Sequence, residues 1–205
     1  MSGAILVLSG PSGAGKSTII NHSSDKIGSY YFSISTTTRS PREGEVHGVD
    51  YYFVSKTEFE EDIKAGNFLE YATVHGNYYG TSLKPVNEAL DNGKLVIFDI
   101  DIQGHRLVQA KMSDLVTSAF ITPPTLNELE KRLYARSTDD TEIIKKRVEN
   151  AKEEIKAIGE FDYIIINDTV EEASQKFTTI AQSARLKQSH KELANFIVNW
   201  QNHQQ

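Results

Sequence analysis

No cysteine occurs among the 205 residues, so disulfides, thiolate metal sites and cysteine nucleophiles are all excluded. The same absence suits a reducing compartment. Long apolar runs are missing too. The longest near the start, Ala4 to Leu8, falls far short of a signal-peptide core or a membrane span. A cytoplasmic protein without a membrane partner is expected. A basic excess is also lacking: the formal net charge is −6 and the pI is near 5.5. General nucleic-acid binding would leave the opposite footprint, so no nucleic-acid partner is expected. An acidic chain can still take anionic substrates if its cleft is locally basic. The six histidines show no H-E-x-x-H or other metal spacing, and His75 reads as structural.

What is present suits one substantial domain with inserted lobes: 39% hydrophobic and 24% charged residues in a chain long enough to bury a core. No internal repeat is visible, and only the polar final residues are low in complexity. Short apolar runs alternate with helical patterns, which predicts an α/β domain on a parallel sheet. Ala4–Ser9, Lys94–Ile100, Thr117–Thr122 and Asp162–Asn167 read as strands covered on both faces. Helices are expected from about Gly15 to Asp25 and from Ser82 to Asn92, where Gly93 can end the second. Thr125 and Thr169, each followed by an acid at the capping-box spacing, mark two further helix starts.

Residues 32–81 are richer in Tyr, Thr, Ser and Gly. They carry strand-like pieces at Phe32–Thr36, Tyr51–Val54 and Phe68–His75, and a short helix capped by Ser55 and Glu58 and ending at Gly66. This pattern predicts a small mixed-β lobe inserted in the core. Leu126–Ile158 reads as a second insertion, helical and strongly charged. Phe177, Ile180, Ala181 and Ala184 form one helical stripe, and Leu193, Phe196, Ile197 and Trp200 another. Both are expected to pack on the core, a partner-binding face being the alternative.

Gly10, Pro11, Ser12, Gly13, Ala14, Gly15, Lys16 and Ser17 satisfy G-x-x-x-x-G-K-[ST] between a buried strand and a helix. A phosphate needs several inward N–H groups, so side chains must be absent where the chain curls. The following helix adds its positive N-terminus. Lys16 would reach the β and γ phosphates, the Ser17 hydroxyl would ligate Mg²⁺, and Thr18 completes the ATP-binding set. Lys94–Asp99 is an apolar strand ending in an acid, as a Walker-B strand should, and Asp99 would hold Mg²⁺ through water. Asp101 follows on the same strand face by alternation. Alone, Asp-x-Asp equally fits a helix cap or metal-dependent glycosyl transfer; the upstream loop favours an ATP-site role.

Further motifs follow in order: Ser35-Thr-Thr-Thr-Arg39-Ser-Pro-Arg42, Gly44-Glu45, Gly48, Asp50-Tyr51, Phe68-Leu-Glu70-Tyr71, Gly76-Asn-Tyr-Tyr79-Gly80 and Asp99-Ile-Asp101-Ile-Gln103-Gly104. From residue 4 to about residue 185 this set resembles the guanylate kinase family. The resemblance implies a core of about 1–31, 82–124 and 159–188, a GMP-binding lobe of 32–81, a lid of 125–158 and a helical tail of 189–205. It implies GMP-binding residues Ser35, Arg39, Arg42, Tyr51, Glu70, Tyr79, Thr81 and Asp101. Arg39 and Arg42 suit a forked grip on one phosphate. Glu70 would accept the adjacent N1–H and N2–H₂ donors of guanine, with Asp101 in support and Ser35 and Thr81 near O6. The wrong base would leave a buried acid unpaired.

Arg136 and Arg147 would be delivered by the lid, and with Lys16 and Arg39 they make the implied catalytic set. From spacing alone, Arg132, Arg136 and Arg147 fit equally well on a solvated charged helix. Arg132-Leu-Tyr-Ala-Arg136-Ser lacks glycines common in relatives, and Thr81 stands where many carry serine. Asn167 is implied at the adenine of ATP, although Asn-Asp also caps helices. The resemblance implies Mg²⁺-dependent transfer from ATP to GMP by a monomer or homodimer. Two rivals share the donor loop: a kinase for another nucleoside monophosphate, and a guanylate-kinase-like module that binds protein ligands. A plain ATPase would leave the acceptor motif unexplained.

Overall fold

Alternation along β1 (Ala4–Ser9) explains the architecture. Its residues are all buried, with Leu6 and Leu8 pointing into one apolar cluster and Ile5 and Val7 into another. A strand covered on both faces must lie inside a sheet with helices on each side. The computed structural model, which describes residues 3–74, 76–135 and 141–202, has that form. Five parallel strands run in the order β2 (Tyr30–Phe32), β7 (Leu95–Asp99), β1, β8 (Val116–Thr122), β9 (Tyr163–Ile166).

Helices α1 (Lys16–Ser23) and α7 (Val170–Ala184) cover one face; Ile19, Ile20, Phe177, Ile180, Ala181 and Ala184 meet Leu6, Leu8, Ile97 and Ile121. Helices α3 (Leu83–Asp91) and α4 (Ile102–Met112) cover the other, where Val86, Ala89, Leu90 and Val108 meet Ile5, Val7 and Phe98.

Between β2 and α3 the chain builds a second, mixed sheet in the order β4 (Tyr52–Phe53), β3 (Thr36–Thr37), β6 (Asn77–Ser82), β5 (Phe68–Val74). Its own core is aromatic: Phe59 of α2 (Lys56–Lys64) stacks on Phe68 at 4.2 Å and on Tyr78 at 5.1 Å between ring centroids. Ser55 and Glu58 form the expected capping box of α2. The second insertion holds α5 (Leu126–Ala135) and α6 (Thr141–Glu154), joined by Leu129, Leu133, Ile144, Val148 and Ala151.

Several elements differ from expectation. Phe32–Thr36 is not one strand: Tyr30–Phe32 pairs with β7 in the main sheet, and Thr36 opens the first strand of the lobe. The apolar residues on both sides of the break conceal it. Strand β9 is not covered on both faces. It lies at the sheet edge, where Ile165 is buried but Ile164 and Ile166 stay half exposed. They line an apolar cleft of ≈ 540 Å³ with Pro11, Pro123, Leu126 and Ile155. The last stripe fails to reach the core as well. It lies on α8 (His190–Asn202), where Leu193, Phe196, Ile197 and Trp200 are all exposed. His75 and Arg136 lie outside the described residues.

One buried polar side chain stands out. His105 of α4 is 2% exposed and stacks on Phe161 at 4.1 Å, and neither ring nitrogen has a hydrogen-bond partner among the described residues. Burial lowers its pKa; Glu160 and Asp162 oppose that and Arg106 reinforces it. The neutral ring is therefore the form that folds. Its stability contribution is complete above the unfolded histidine pKa and is lost as pH falls through the lowered folded value. His105→Phe should flatten the fall in Tm between about pH 7 and about pH 5. Parallel Tm profiles for variant and parent would remove His105 from the acid response.

Candidate active site

The loop between β1 and α1 closes on itself through backbone that only glycine adopts easily. Gly15 has φ +90°, and a Cβ there would lie 2.4 Å from the Asn167 amide nitrogen; at Gly10 it would lie 2.0 Å from the Ile121 carbonyl oxygen. Neighbouring backbone and a buried amide thus press directly on the curl. Asn167 is 3% exposed and donates from Nδ2 to the Ala14 carbonyl at 2.8 Å. Its Oδ1 has no hydrogen-bond partner among the described residues. In this structure Asn167 braces the loop from beneath.

Lys16 donates to the Gly10 carbonyl at 2.6 Å and lies 3.6 Å from the Asp99 carboxylate. Parallel pairing of β7 with β1 sets that distance, because Asp99 stands opposite Leu8, just before the loop. Burial pushes the Asp99 carboxyl upward and Lys16 opposes it. Ser17 and Thr18 are exposed at the start of α1. A hydroxyl and a carboxylate are hard oxygen donors of the kind Mg²⁺ takes, so Ser17 and Asp99 fit that ion. Among the described residues no group of three or more His, Cys, Asp or Glu could hold a metal alone. Phosphate and water oxygens would complete the set.

Asp101 does not share the strand face with Asp99. Strand β7 ends at Asp99, and Asp101 is the N-cap of α4, its Oδ1 accepting from the Gly104 N–H at 2.8 Å. Capping was the alternative reading of this acid, and the Gly104 N–H explains why it prevails locally.

In the lobe, Arg39 is held rather than free. Its Nη2 donates to Glu45 at 2.8 Å, its Nη1 to the Ser40 carbonyl at 2.8 Å, and its guanidinium lies 5.4 Å from the Tyr51 ring centroid. Glu45 also accepts from the Arg42 backbone N–H at 2.7 Å, closing the turn that carries both arginines. That contact with Arg39 holds the Glu45 carboxyl below the usual range. Tyr79 of β6 meets Tyr51 edge-on at 6.1 Å. Antiparallel pairing sets Glu70 opposite Thr81, and the Thr81 hydroxyl donates to Glu70 at 2.7 Å. Ser35 lies partly buried just before β3, and its carbonyl accepts from the Tyr52 N–H.

The helical insertion meets the loop directly. Leu129 and Leu133 of α5 pack over Gly13, and Arg147 of α6 donates to the Ser12 hydroxyl at 3.0 Å. Arg132 is bound within its own helix to Glu128 at 2.8 Å.

The guanylate kinase family model matches residues 2–184. The chain belongs to the guanylate kinase family. It is 56% identical over 200 residues to the guanylate kinase of Sulfurimonas denitrificans, covering 98% of this chain and 97% of that protein. The Wolinella succinogenes guanylate kinase is 51% identical over 198 residues, covering 97% and 92%. A crystal structure of guanylate kinase from Anaplasma phagocytophilum superposes with a TM-score of 0.66 at 33% identity, over 91% of this chain and 88% of that one.

Some groups around this guanylate kinase site were not identified from sequence. Glu45 was visible only as a motif letter, since nothing in the spacing says that it grips Arg39. Glu154 closes α6 where burial raises its carboxyl, Lys16 opposes the rise and Asp101 adds to it. No sequence signal places a residue of the helical insertion beside the loop lysine.

The contact between Gly15 and Asn167 is open to test. Gly15→Ala should lose about 1–3 kcal/mol in urea unfolding, from positive φ and the clash together. Combining it with Asn167→Ala removes the clash, so the double variant should lose less than the two single losses added. Additive losses would mean that the two residues do not press on each other.

Proposed function

We propose that this chain transfers the γ-phosphoryl group of Mg²⁺-bound ATP to GMP, and to dGMP as a second acceptor, giving ADP and the nucleoside diphosphate. The observation that carries this reading is a second built anion grip in addition to the phosphate loop. Arg39 is fixed by Glu45 beside Tyr51 and Tyr79, while Lys16 stands by Asp99 in the loop. An ATPase or a protein-binding module has no need of both.

The roles follow from chemistry. Gly10, Pro11, Ser12, Gly13, Ala14, Gly15, Lys16, Ser17 and Thr18 would cradle the donor phosphates, with Asn167 beneath. Nη1 and Nη2 of Arg39 each hold a protein partner, so its other N–H groups are the ones left to a GMP phosphate, with Arg42, Tyr51 and Tyr79. Glu70 and Asp101 would accept the guanine donors, and Ser35 and Thr81 would flank O6. The phosphate oxygen of GMP is already a nucleophile, so no general base is required. Positioning and charge neutralisation supply the catalysis. Lys16, Arg39 and Arg147 carry that charge, joined by Arg136 on the family resemblance. Held by Ser17 and Asp99, Mg²⁺ would neutralise phosphate charge. The Arg147–Ser12 contact supports α5 and α6 as a lid that closes over the loop.

The test is ADP formation from Mg·ATP with GMP, AMP, UMP, CMP and dTMP offered separately. Turnover selective for GMP is expected. Selectivity for another acceptor would keep the kinase and overturn the base assignment; no turnover at all would favour a binding module. In the same assay Lys16→Ala should lower kcat by at least about a hundredfold with Tm unchanged. Glu70→Gln should raise the GMP KM by about tenfold or more and leave the ATP KM alone, because an acceptor becomes a donor facing a donor.

A further inference from the structure

The two acids assigned to guanine come from different parts of the molecule. Glu70 stands on β5 of the lobe, and Asp101 caps α4 of the core. Their separation must be held to a fraction of an ångström if one base is to satisfy both. Something has to fix β5 against α4.

Strand β5 reaches the core through an irregularity. Phe68 pairs with Ser82 and Glu70 with Thr81, so Leu69 is an extra residue with no partner in the ladder. Such a bulge lets consecutive side chains point into different cores. Phe68 stacks on Phe59 in the lobe, whereas Leu69 is 4% exposed among the core residues around Val86 and Val108. Glu70 is the next residue along. The bulge is the pivot between lobe and core, and its carbonyls at Phe68 and Leu69 accept from a side chain of the core.

Lys111 supplies it. Its ammonium donates to the Phe68 carbonyl at 2.9 Å and to the Leu69 carbonyl at 2.9 Å. The lysine stands on the same face of α4 as Gly104 and Val108. Gly104 supplies the N–H that fixes Asp101, and Val108 packs in the cluster that buries Leu69. One straight helix thus fixes Asp101 at its start and, about 15 Å along its axis, the bulge that aims Glu70.

We propose that Lys111 is a positioning residue for guanine: it sets Glu70 against Asp101 and so helps determine acceptor specificity. This rests on Glu70 being the guanine acceptor. Lys111 touches neither substrate and acts through the backbone of Phe68 and Leu69.

Steady-state kinetics of the full chain tests it. Lys111→Met should raise the GMP KM about tenfold, with kcat and the ATP KM within about twofold of the parent. Lys111→Arg, which still offers N–H groups to both carbonyls, should recover most of the loss. Lys111→Gln carries the same expectation, at a smaller rise, should the methionine variant not fold. Glu70→Gln and the double variant with Lys111→Met complete a cycle. If Lys111 acts through Glu70, the double variant has a GMP KM no worse than Glu70→Gln alone.

An unchanged GMP KM in Lys111→Met, or penalties that multiply in the double variant, overturns the proposal and leaves Glu70 where it is. So does a loss that raises the GMP and ATP KM alike. If Glu70→Gln itself leaves the GMP KM unchanged, the base assignment falls and the proposal with it.

Discussion

The site depends on β1 being buried on both faces at the centre of its sheet. A loop leaving an edge strand could bend away from its neighbours. This one emerges between β7 and β8, and both constrain it: Asp99 at the end of β7 stands by Lys16, and the Ile121 carbonyl of β8 presses on Gly10. Asn167, just past β9, closes the underside. The phosphate cradle is therefore a consequence of strand order, because the residues that shape it are the C-terminal ends of adjacent parallel strands.

Carboxylates then explain how an acidic chain can be built to bind anions. Three cations of the site and the helical insertion have acids nearby: Lys16 has Asp99, Arg39 has Glu45 and Arg132 has Glu128. Each acid fixes a long, entropically loose side chain before any ligand arrives, which is what electrostatic preorganisation requires. The contribution to folding is small where the pair is exposed, as surface ion pairs generally are. Their value lies in position. A net charge of −6 is thus compatible with a locally basic cleft.

How far the sequence could be read depends on how local each determinant is. The phosphate loop was fully legible, since its glycines, lysine and flanking strand lie within one short segment. So was the α2 capping box at Ser55 and Glu58. Strand β9 was misread because a run of isoleucines looks the same at a sheet edge as in its interior. Burial of Ile164 depends on whether another layer covers that face of the strand, which β9 cannot encode. The break between β2 and β3 was hidden for a similar reason: Phe32–Thr36 suits either sheet. Asp101 shows a local signal applied with the wrong period, since the strand stops two residues earlier than alternation assumed. The grips of Glu45 on Arg39 and of Lys111 on β5 join residues whose pairing no periodicity announces. The stripe of α8 was read correctly as amphipathic, but amphipathicity does not say what covers it.

Three packing units share one chain, and the way they are joined bears on how the site can work. The sheet core is mainly aliphatic, the lobe core is an aromatic stack around Phe59, and the insertion holds Leu133, Ile144 and Val148. Between units, some of the ties are polar: Lys84 to Asp62 at 2.6 Å and Arg147 to Ser12. Polar ties at a surface are individually weak and exchange readily with water, whereas apolar cores do not. A unit held this way can move as a rigid body while its own core stays intact. Apolar contact crosses the boundaries at Leu69 beneath the β5 bulge and at Leu129 with Leu133 over Gly13. Both lie next to residues that the proposed function uses, Glu70 in one case and the phosphate loop in the other. On the closure proposed for the insertion, weak polar joints would permit the movement and a few buried leucines would fix where it ends.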